Sequence, residues 1–429
     1  MRKAPLKAPM RILMLTDRFP PEVRSAAHLF HDLARELQRR GHEVAVISKA
    51  PRQYFADGTG RGSTLGWEDV GGVPTLRVRG FPIAGYHPIL RGLDHLTLGW
   101  TFGRASGRWP SADVILVYSP PLPLASAGAK YARRFRVPFV LNVQDLYPQT
   151  AIDLKLLRNP LAIRLAEQME GLAYHRAARI VVHSPGNRTF LIERKGIPAD
   201  RVRVIFNWVD TEAIRPGPRE NSFRAQHGLT RKFVVSYAGV MGYAQDLGDV
   251  IECAELTRTD EEIVYLLVGE GVLEKHWKEM VAARGLRNVR FLPMQPKTEY
   301  AELLAASDVC LVPLDAQLRT PVVPGKLQSI MASGRPAITI VDPSGDAPKL
   351  LKESGGGVNV LPGQPRALCE ELLWLKTHSE AAREIGERGR RFAEGHFAVA
   401  GCASAYEELF EELLKARAAG GARNPERRH

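Results

Sequence analysis

The stretch RILMLTDRFPPEVRSAAHLFHDLARELQRRGHEVAVIS (residues 11–48) decides the fold class. An apolar run (11–16) is followed by a loop, by a segment with apolar residues at helical spacing that ends at Gly41, and by a second apolar run (42–48). This order predicts a strand–helix–strand unit with parallel strands. The loop after the first strand then lies at the carboxyl edge of a parallel sheet, where such sheets bind ligands.

The same alternation continues along the chain and then restarts. TEAIRPGPRENS (residues 211–222) carries two prolines and mixed charges, which is typical of a linker. KFVVSYAGVMG (residues 232–242) begins a new series of strands and helices. Because 429 residues are too many for one hydrophobic core, we predict two successive doubly wound α/β domains.

The predicted boundaries follow these breaks in the pattern. Residues 1–209 are assigned to the first domain and residues 210–398 to the second. A C-terminal helix is predicted at 399–417, and the Gly- and Arg-rich residues 418–429 are expected to form a flexible tail.

Composition limits the classes of partner and compartment. The chain has 59 Lys and Arg against 47 Asp and Glu, a net charge of +12, which favours anionic partners; a merely solvated basic surface is the alternative. The four cysteines form no C-x-x-C pair, so neither a disulfide framework nor a zinc site is expected. With no long apolar run, these features predict a cytoplasmic protein without a membrane-spanning helix.

Several sequence motifs that would fix a reaction are absent. The first strand is not followed by G-x-G-x-x-G, and the chain contains no P-loop, H-E-x-x-H or G-x-S-x-G. It also contains no D-x-D triplet, the usual acidic clamp for a metal-bound sugar nucleotide. The missing triplet argues against a magnesium-dependent reaction, and no cofactor is expected. The architecture alone leaves dehydrogenases, binding proteins and glycosyltransferases open.

Glycine-containing loops follow two strands of the second half. Gly239 and Gly242 stand between a strand and a helix, where backbone N–H groups can approach a phosphate. Gly269, Glu270 and Gly271 form a similar turn, where a base or ribose could lie against the backbone. The alternative for both loops is an ordinary strand-to-helix turn that needs glycine.

VVPGKLQSIMASGRP (residues 322–336) places Lys326 in the first turn of a predicted helix. A cation at that end opposes the helix dipole. Pairing with a bound diphosphate would explain the lysine; a solvated side chain is the alternative.

Two polar residues follow strands of the first half. Asp145, after the strand VLNV, could position or deprotonate an acceptor hydroxyl, or it could simply cap a turn. His183, after RIVV, is a further candidate, with a structural histidine as the alternative.

These segments together resemble a known family. The resemblance is carried by FPPE (19–22), NVQDLYP (142–148), VIFNWVD (204–210), YAGVMGYAQDL (237–247), LLVGEG (266–271) and PGKLQSIMASGRPAI (324–338). The sequence resembles the family-four GT-B glycosyltransferases, in the branch of the bacterial fucosaminyltransferases and colanic-acid transferases. The resemblance implies two Rossmann-like domains facing a central cleft, with the last helix returning to the N-terminal domain.

The resemblance also implies where substrates bind. It places the acceptor in the first domain and the donor in the second, with retention of anomeric configuration and no metal. The residues expected on the acceptor side are Glu22, Arg24, Asp145 and His183. The residues expected at the donor are Gly239, Gly242, Gln245, Gly269, Glu270, Gly271, Pro324, Lys326, Leu327 and Ser329, and the catalytic pair is Asp145 and Lys326.

The chain departs from the family in two places. Many members carry two glutamates eight positions apart, where this chain has Pro321 and Ser329. Many also carry a basic residue where this chain reads YAQD (243–246), and Lys326 is expected to supply that charge. These departures leave open a protein that has lost activity.

The predicted function is transfer of a sugar, with an N-acetylated deoxyhexose suggested by the resemblance, from a UDP-sugar to a lipid-linked saccharide in surface polysaccharide synthesis. Peripheral binding to the inner face of the membrane is expected through Arg2, Lys3, Lys7, Arg11 and the segment 91–109. A non-catalytic sugar-nucleotide-binding or scaffold protein is the alternative. No nucleic-acid partner is expected, because charge is the only feature that suggests one.

Overall fold

The computed structural model describes residues 8–22, 25–51, 65–79, 97–105 and 111–422. The chain divides into two compact units. Unit 1 comprises residues 1–148, 158–206 and 399–429, and unit 2 comprises residues 149–157 and 207–398. The predicted class, two doubly wound α/β domains built on parallel sheets, is confirmed.

The strands alternate with helices along most of the chain. Within the described ranges unit 1 contains β1 (Arg11–Thr16), β2 (Glu43–Lys49), β3 (Gly66–Val70), β4 (Val73–Val78), β5 (Val114–Ser119), β6 (Phe139–Val143), β7 (Arg179–Val182) and β8 (Val202–Val204). Unit 2 contains β9 (Phe233–Ala238), β10 (Ile263–Val268), β11 (Val289–Leu292), β12 (Val309–Pro313), β13 (Ala337–Ile340) and β14 (Gly357–Val360).

The helices are numbered through both units. The first eight are α1 (Ser25–Arg39), α2 (residues 97–104), α3 (Pro123–Phe135), α4 (Gln149–Asp153), α5 (Pro160–Arg176), α6 (Pro185–Glu193), α7 (Ser222–Gln226) and α8 (Gly248–Leu256). The others are α9 (Glu274–Ala283), α10 (Lys297–Ala306), α11 (Gly325–Ala332), α12 (Asp346–Ser354), α13 (Pro365–Thr377), α14 (Ser379–His396) and α15 (Val399–Ala422). None of these described helices is both long and apolar enough to cross a bilayer.

The sheet of unit 1 has the strand order β3-β4-β2-β1-β5-β6-β7-β8. Every neighbouring pair is parallel except β3 with β4. Strands β1 and β5 are almost completely buried, which is why their sequences are continuous apolar runs and not alternating ones. The chain order reverses between β1 and β5, so the carboxyl ends of these two strands form the switch point where such sheets bind ligands.

The last helix, α15, belongs to unit 1. Its Glu407 accepts hydrogen bonds from Arg40 at 3.0 Å and His42 at 2.7 Å, just after α1. Its Tyr406 hydroxyl accepts a hydrogen bond from Asn142 of β6 at 2.5 Å. The helix continues to Ala422, five residues beyond the predicted end at Arg417, so residues 418–422 are helical and not part of a flexible tail.

The sheet of unit 2 has the order β11-β10-β9-β12-β13-β14, with all neighbours parallel. Its core is formed by the apolar strands β9, β10 and β12 and by helices such as α8 and α13 that pack on them. The chain order reverses between β9 and β12, so the switch point of unit 2 lies after β9.

A short segment from the first half of the chain folds with unit 2. Residues 149–157, predicted to lie in the first domain, cluster with the second. The contact is made by one carboxylate oxygen: Asp153 Oδ2 accepts backbone hydrogen bonds from Arg319 at 3.0 Å and Thr320 at 2.8 Å. Asp153 thereby holds the loop that leads into α11.

One disulfide is present, although the sequence predicts no disulfide framework. Cys253 on α8 and Cys369 on α13 are joined, with their Cα atoms 5.5 Å apart. They are 116 residues apart in sequence, and the packing of these two helices brings them together. Cys310 and Cys402 are free and buried.

Candidate functional site

Two glycine turns interlock at the switch point of unit 2. Gly239 donates its N–H to the carbonyl of Val268 at 2.9 Å, and Met241 donates to the carbonyl of Glu270 at 2.9 Å. A Cβ on Gly269 would clash with the carbonyl oxygen of Gly239. A Cβ on Gly271 would likewise clash with the carbonyl oxygen of Met241. Contact between the two turns therefore explains the glycines at 269 and 271 without a ligand.

Gly239 has a different reason to be glycine. Its φ is +154°, and a Cβ there would lie 2.7 Å from Nζ of Lys326 and 3.1 Å from its Cε. The absence of a side chain leaves room for the amine. Glycine is also favoured because any other L-residue would be strained at this φ. Gly239 and Lys326 therefore form one arrangement.

Lys326 lies in the first turn of α11, as predicted. Although the residue is only partly buried, its Nζ is inaccessible to solvent and has no hydrogen-bond partner among the described residues. Nζ lies 3.9 Å from the centre of the Tyr237 ring. Burial lowers the pKa of this amine from its ordinary value to about 7. The alternative of a solvated lysine does not fit these observations.

Tyr237 of β9 completes the surroundings of the amine and was not predicted. Its side chain is buried, and its hydroxyl donates to the carbonyl of Val240 at 2.6 Å. That bond fixes the ring with one face towards Lys326. A ring face attracts a cation but offers no compensating negative charge. Within the described part of the chain, the amine therefore has an aromatic neighbour and no counter-ion.

The remaining predicted donor residues are placed in different ways. Gln245 Oε1 accepts a long hydrogen bond, 3.3 Å, from the N–H of Gly242. The N–H of Gly239, by contrast, already donates to the carbonyl of Val268. Glu270 is exposed. Leu327 is completely buried, so its side chain belongs to the core.

The positions that replace the family's two glutamates do not recreate a carboxylate. Ser329 on α11 hydrogen-bonds with Tyr300 of α10. Pro321 follows the turn held by Asp153, and Pro324 precedes α11 and accepts the N–H of Leu327 at 2.9 Å. The loop before α11 is thus fixed by backbone contacts.

Carboxylates gather at the switch point of unit 1. Asp145 follows β6; the residue is exposed, but burial around its carboxyl raises the pKa of that group. The turn here is closed by the backbone carbonyl of Asp145, which accepts from Tyr147 N at 2.9 Å, so the side chain is not needed to cap it. Burial raises the pKa of Tyr118 on β5, and the charges of Asp145 and Asp17 raise it further. The three groups therefore lie at one edge of the sheet.

Asp17, directly after β1, was not predicted. One carboxylate oxygen, Oδ1, is inaccessible and has no hydrogen-bond partner in the described part of the chain. The other, Oδ2, lies 3.5 Å from Nε of Arg18. Burial raises the pKa of this carboxyl to about 6, although the charge of Arg18 opposes the shift. An aspartate after a strand is common in turns, so the sequence alone gave no reason to single it out.

The other predicted acceptor residues differ in their surroundings. Glu22 accepts a hydrogen bond from Arg18 at 3.3 Å, and Arg24 lies outside the described residues. His183 is buried and donates from Nδ1 to the carbonyl of Ile205 at 2.8 Å. Burial lowers its pKa to about 4, so it stays neutral near pH 7, as a structural histidine would.

The predicted membrane segments are only partly described. Arg2, Lys3 and Lys7 lie outside the described residues, as does most of the segment 91–109. Arg11 is described, and its guanidinium pairs with Asp113 at 2.7 Å. The charge of Arg11 is therefore already paired with a carboxylate of the protein.

Comparison with known proteins identifies the family. The model of the glycosyl transferase 4-like domain matches residues 26–208, and that of the glycosyl transferases group 1 matches residues 219–392. The putative colanic acid biosynthesis glycosyl transferase WcaI of Escherichia coli (strain K12) is 26% identical over 407 residues, covering 88% of this chain and 96% of WcaI. The probable glycosyltransferase WbjE of Pseudomonas aeruginosa is 26% identical over 295 residues, covering 67% and 73%.

A solved structure agrees in fold. Anabaena Alr3699/HepE, crystallised with UDP, matches with a TM-score of 0.69 at 18% identity, covering 94% of this chain and all of HepE. The two family models follow one another along the chain in the order of its two parallel-sheet units and together span most of its length. The chain therefore belongs to the group 1 glycosyltransferases of the GT-B fold class, which confirms the resemblance found in the sequence.

Proposed function

We propose that this glycosyltransferase moves a sugar from a UDP-sugar to a lipid-linked saccharide, with retention of configuration and without a metal, in the synthesis of a surface polysaccharide. The name of WcaI, which refers to colanic acid biosynthesis, supports the pathway. HepE, which was crystallised with UDP, UDP and glucose, or UDP-glucose, supports the donor. The observation that carries the proposal is the buried amine of Lys326, which has no hydrogen-bond partner among the residues that the structure describes.

A bound diphosphate would supply the counter-ion that the amine of Lys326 lacks among the described residues. The amine lies at the switch point of unit 2 with a lowered pKa and no counter-ion among the described residues. A bound anion favours the protonated form and restores its charge. When the bond between sugar and diphosphate breaks, negative charge grows on the departing diphosphate, and a fixed cation stabilises that charge. Lys326 is thus proposed as both a binding and a catalytic residue.

Lys326 is also the reason for proposing that the reaction needs no metal. No group of three or more His, Cys, Asp or Glu side chains that could hold a metal ion occurs in the described ranges. Lys326 is proposed to supply the positive charge that a divalent cation supplies in other sugar-nucleotide sites. Addition of a chelator should therefore leave turnover unchanged within about twofold.

Unit 1 is proposed to bind the acceptor. Asp145 is exposed at the carboxyl edge of the sheet and can accept a hydrogen bond from a sugar hydroxyl, or its proton as the hydroxyl attacks. Asp17 and Tyr118 lie at the same edge. Hydroxyl groups of a saccharide are good donors to carboxylates, so this edge suits a neutral polyhydroxylated acceptor.

A non-catalytic sugar-nucleotide-binding protein is the less favoured alternative. Its only support is the absence of carboxylates at Pro321 and Ser329. Both family models that match the chain describe glycosyl transferases.

The test is thermal unfolding of the purified protein with UDP, GDP, ADP, TDP and several UDP-sugars. A ligand at a hundred times its Kd stabilises the folded state by about 2.7 kcal/mol, which shifts the midpoint measurably. We expect stabilisation by UDP and by at least one UDP-sugar, and none by the other diphosphates.

The matched control is an exposed lysine on α12 of the same unit. Lys326→Met should lose the shift with UDP, whereas Lys349→Met, at an exposed position on α12, should keep it. Stabilisation by GDP alone would contradict the UDP donor, and an unaltered shift in Lys326→Met would remove Lys326 from the site.

A further inference from the structure

Helix α4 (Gln149–Asp153) folds with unit 2 although none of its residues is buried. Five residues form little more than one turn, and such a helix is marginal in water without tertiary contacts. Apolar burial therefore does not explain why this helix is attached to unit 2. Its side chains reach the rest of unit 2 through polar contacts, made by Thr150 and Asp153.

The Asp153 carboxylate uses both of its oxygens. Oδ1 accepts a hydrogen bond from the side-chain amide of Gln149 at 2.8 Å, within α4. Oδ2 accepts the backbone N–H groups of Arg319 and Thr320. Thr320 is only 7% exposed, so water is poorly placed to replace the carboxylate there. The hydroxyl oxygens of Thr150 and Thr320 lie 3.4 Å apart beside this contact. Asp153 is therefore the group that satisfies both backbone donors.

The two N–H groups belong to the β12–α11 loop (residues 315–324). At the start of this loop Asp315 donates its N–H to the carbonyl of Ala244 at 3.0 Å. Ala244 follows Gly242 by two positions in the glycine-containing loop after β9. At the end of the β12–α11 loop α11 begins, with Lys326 in its first turn. The loop therefore connects the two parts of the proposed donor site.

The first turn of α11 has no side-chain cap of its own. Its N-cap residue is Pro324, which makes no side-chain hydrogen bond to the turn. Helices commonly fix this turn with Ser, Thr, Asp or Asn at that position. Gly325 is exposed, and the buried residues of the helix begin at Leu327. The placement of Lys326 therefore depends on the loop that precedes it.

We propose that Asp153 is a positioning residue of the donor site, which fixes the β12–α11 loop and so holds the Lys326 amine where it meets a nucleoside diphosphate. Asp153 contacts no substrate in this arrangement and acts only through the loop. The inference rests on the proposed function, because it takes Lys326 as the group that binds the diphosphate.

The arrangement also links α4 to the donor. If docking of α4 favours binding of a diphosphate at Lys326, the bound diphosphate must favour docking of α4 by the same free energy. Because α4 buries no residue, its docked state rests on a few hydrogen bonds and is open to such a shift. The amides of α4 should therefore exchange with solvent more slowly when the donor site is occupied.

The first experiment is titration calorimetry of the full-length protein with UDP. Asp153→Ala removes the acceptor of two hydrogen bonds and should weaken UDP binding about tenfold. Asp153→Asn keeps an acceptor oxygen without the charge, so it should restore most of the affinity and weaken binding only about threefold. It is also the variant to use if Asp153→Ala does not fold.

Hydrogen exchange of the same proteins reports on the loop itself. In the free protein the amides of Arg319 and Thr320 should exchange faster in Asp153→Ala than in the wild type. UDP should slow exchange in residues 149–153 of the wild type, and this protection should be lost in Asp153→Ala. A residue that only stabilises the fold would not produce UDP-dependent protection of α4.

Asp260 provides the matched control in unit 2. Its Oδ1 accepts the backbone N–H of Glu262 at 3.0 Å, and its Oδ2 lies 2.6 Å from Nζ of Lys376. It precedes β10, so it lies at the amino edge of the parallel sheet, opposite the switch point. Asp260→Ala should lower the thermal midpoint and leave both UDP affinity and the exchange of Arg319 and Thr320 as in the wild type.

Unchanged UDP affinity in folded Asp153→Ala, or equal weakening by Asp260→Ala, would overturn the positioning role. Loss of UDP binding in Lys326→Met with normal binding in Asp153→Ala rejects the role of Asp153 alone.

If the wild type binds no UDP, the donor proposal fails, and the Lys326 amine in the free protein still tests Asp153. A loosened loop admits water, so Asp153→Ala should raise the pKa of this amine from about 7 towards its ordinary value. An amine pKa that is the same in both proteins would show that Asp153 does not position Lys326.

Discussion

The switch points of the two units have the same topology and opposite chemistry. In unit 2 the edge after β9 holds the amine of Lys326, packed on Tyr237 and made possible by Gly239. In unit 1 the edge after β1 holds the carboxylates of Asp17 and Asp145 near Tyr118.

Burial of an ionisable group at either edge disfavours its charged form. Burial lowers the pKa of the Lys326 amine and raises that of the Asp17 carboxyl, and each has an atom with no hydrogen-bond partner among the described residues. Such groups are concentrated at functional sites, where a substrate supplies the missing partner. A cation suits a diphosphate, whereas carboxylates suit hydroxyl groups. This contrast is the reason for proposing that unit 2 binds the diphosphate of the donor and unit 1 the hydroxyl groups of the acceptor.

The largest effect expected from this comparison is on turnover. Lys326→Met should lower kcat at least tenfold, which corresponds to about 1.4 kcal/mol of transition-state stabilisation. The reason is the loss of the fixed charge that stabilises the departing diphosphate. Steady-state rates with the identified donor measure the effect, with Lys349→Met as control. If Lys326→Met turned over at the wild-type rate, Lys326 would have no role in stabilising the departing diphosphate.

A second effect concerns pH and donor affinity. With an amine pKa of about 7, the charged form is lost as pH rises, so a UDP-sugar should bind roughly eightfold more weakly at about pH 8 than at about pH 6.5. The phosphates of a UDP-sugar remain fully ionised over this range. Titration calorimetry at both pH values is the measurement. Lys326→Met should show no such dependence, and a flat profile in the wild type would argue against a titrating amine.

The smallest effect tests unit 1. The pKa of Asp17 is raised from 3.8 to about 6, so the folded state binds the proton more tightly, and stability is lost as pH rises through this window. The shift of roughly two pKa units corresponds to about 3 kcal/mol near pH 7.5. Asp17→Asn removes the buried charge but leaves a polar amide where Oδ1 has no hydrogen-bond partner among the described residues. We therefore expect the free energy of unfolding to rise by only about 1 kcal/mol near pH 7.5, with no gain near pH 4. Urea unfolding at the two pH values measures it.

The exposed Asp200 provides a control for this change, since Asp200→Asn should leave stability unaltered. Asp17→Asn should also leave the affinity for UDP unchanged. A weakened UDP affinity in this variant would mean that unit 1 is not devoted to the acceptor, and the comparison between the two edges would fail.

The local features of the fold could be predicted from the sequence. Residues 11–16 and 42–48 form strands as expected, within one residue, because buried parallel strands are continuous apolar runs. Lys326 was found because a cation in the first turn of a helix conflicts with the dipole, and that conflict is visible within a few residues.

Features that depend on distant contacts could not be predicted. Tyr237 in a buried strand is indistinguishable in sequence from an ordinary core residue. The turn formed by Arg319 and Thr320 is held by Asp153, and Cys253 meets Cys369, but the partners are more than a hundred residues apart. Only the packing of helices and loops in three dimensions creates these pairs.

Titration of the Lys326 amine shows directly whether a bound diphosphate supplies the counter-ion that the described residues do not provide. The side-chain NMR signals of labelled lysine, assigned by comparison with Lys326→Met, report its pKa in the free protein and with UDP bound. We expect a pKa of about 7 in the free protein and a clear rise on binding UDP. An ordinary pKa of about 10.4 in the free protein, or a value that UDP does not change, would contradict it.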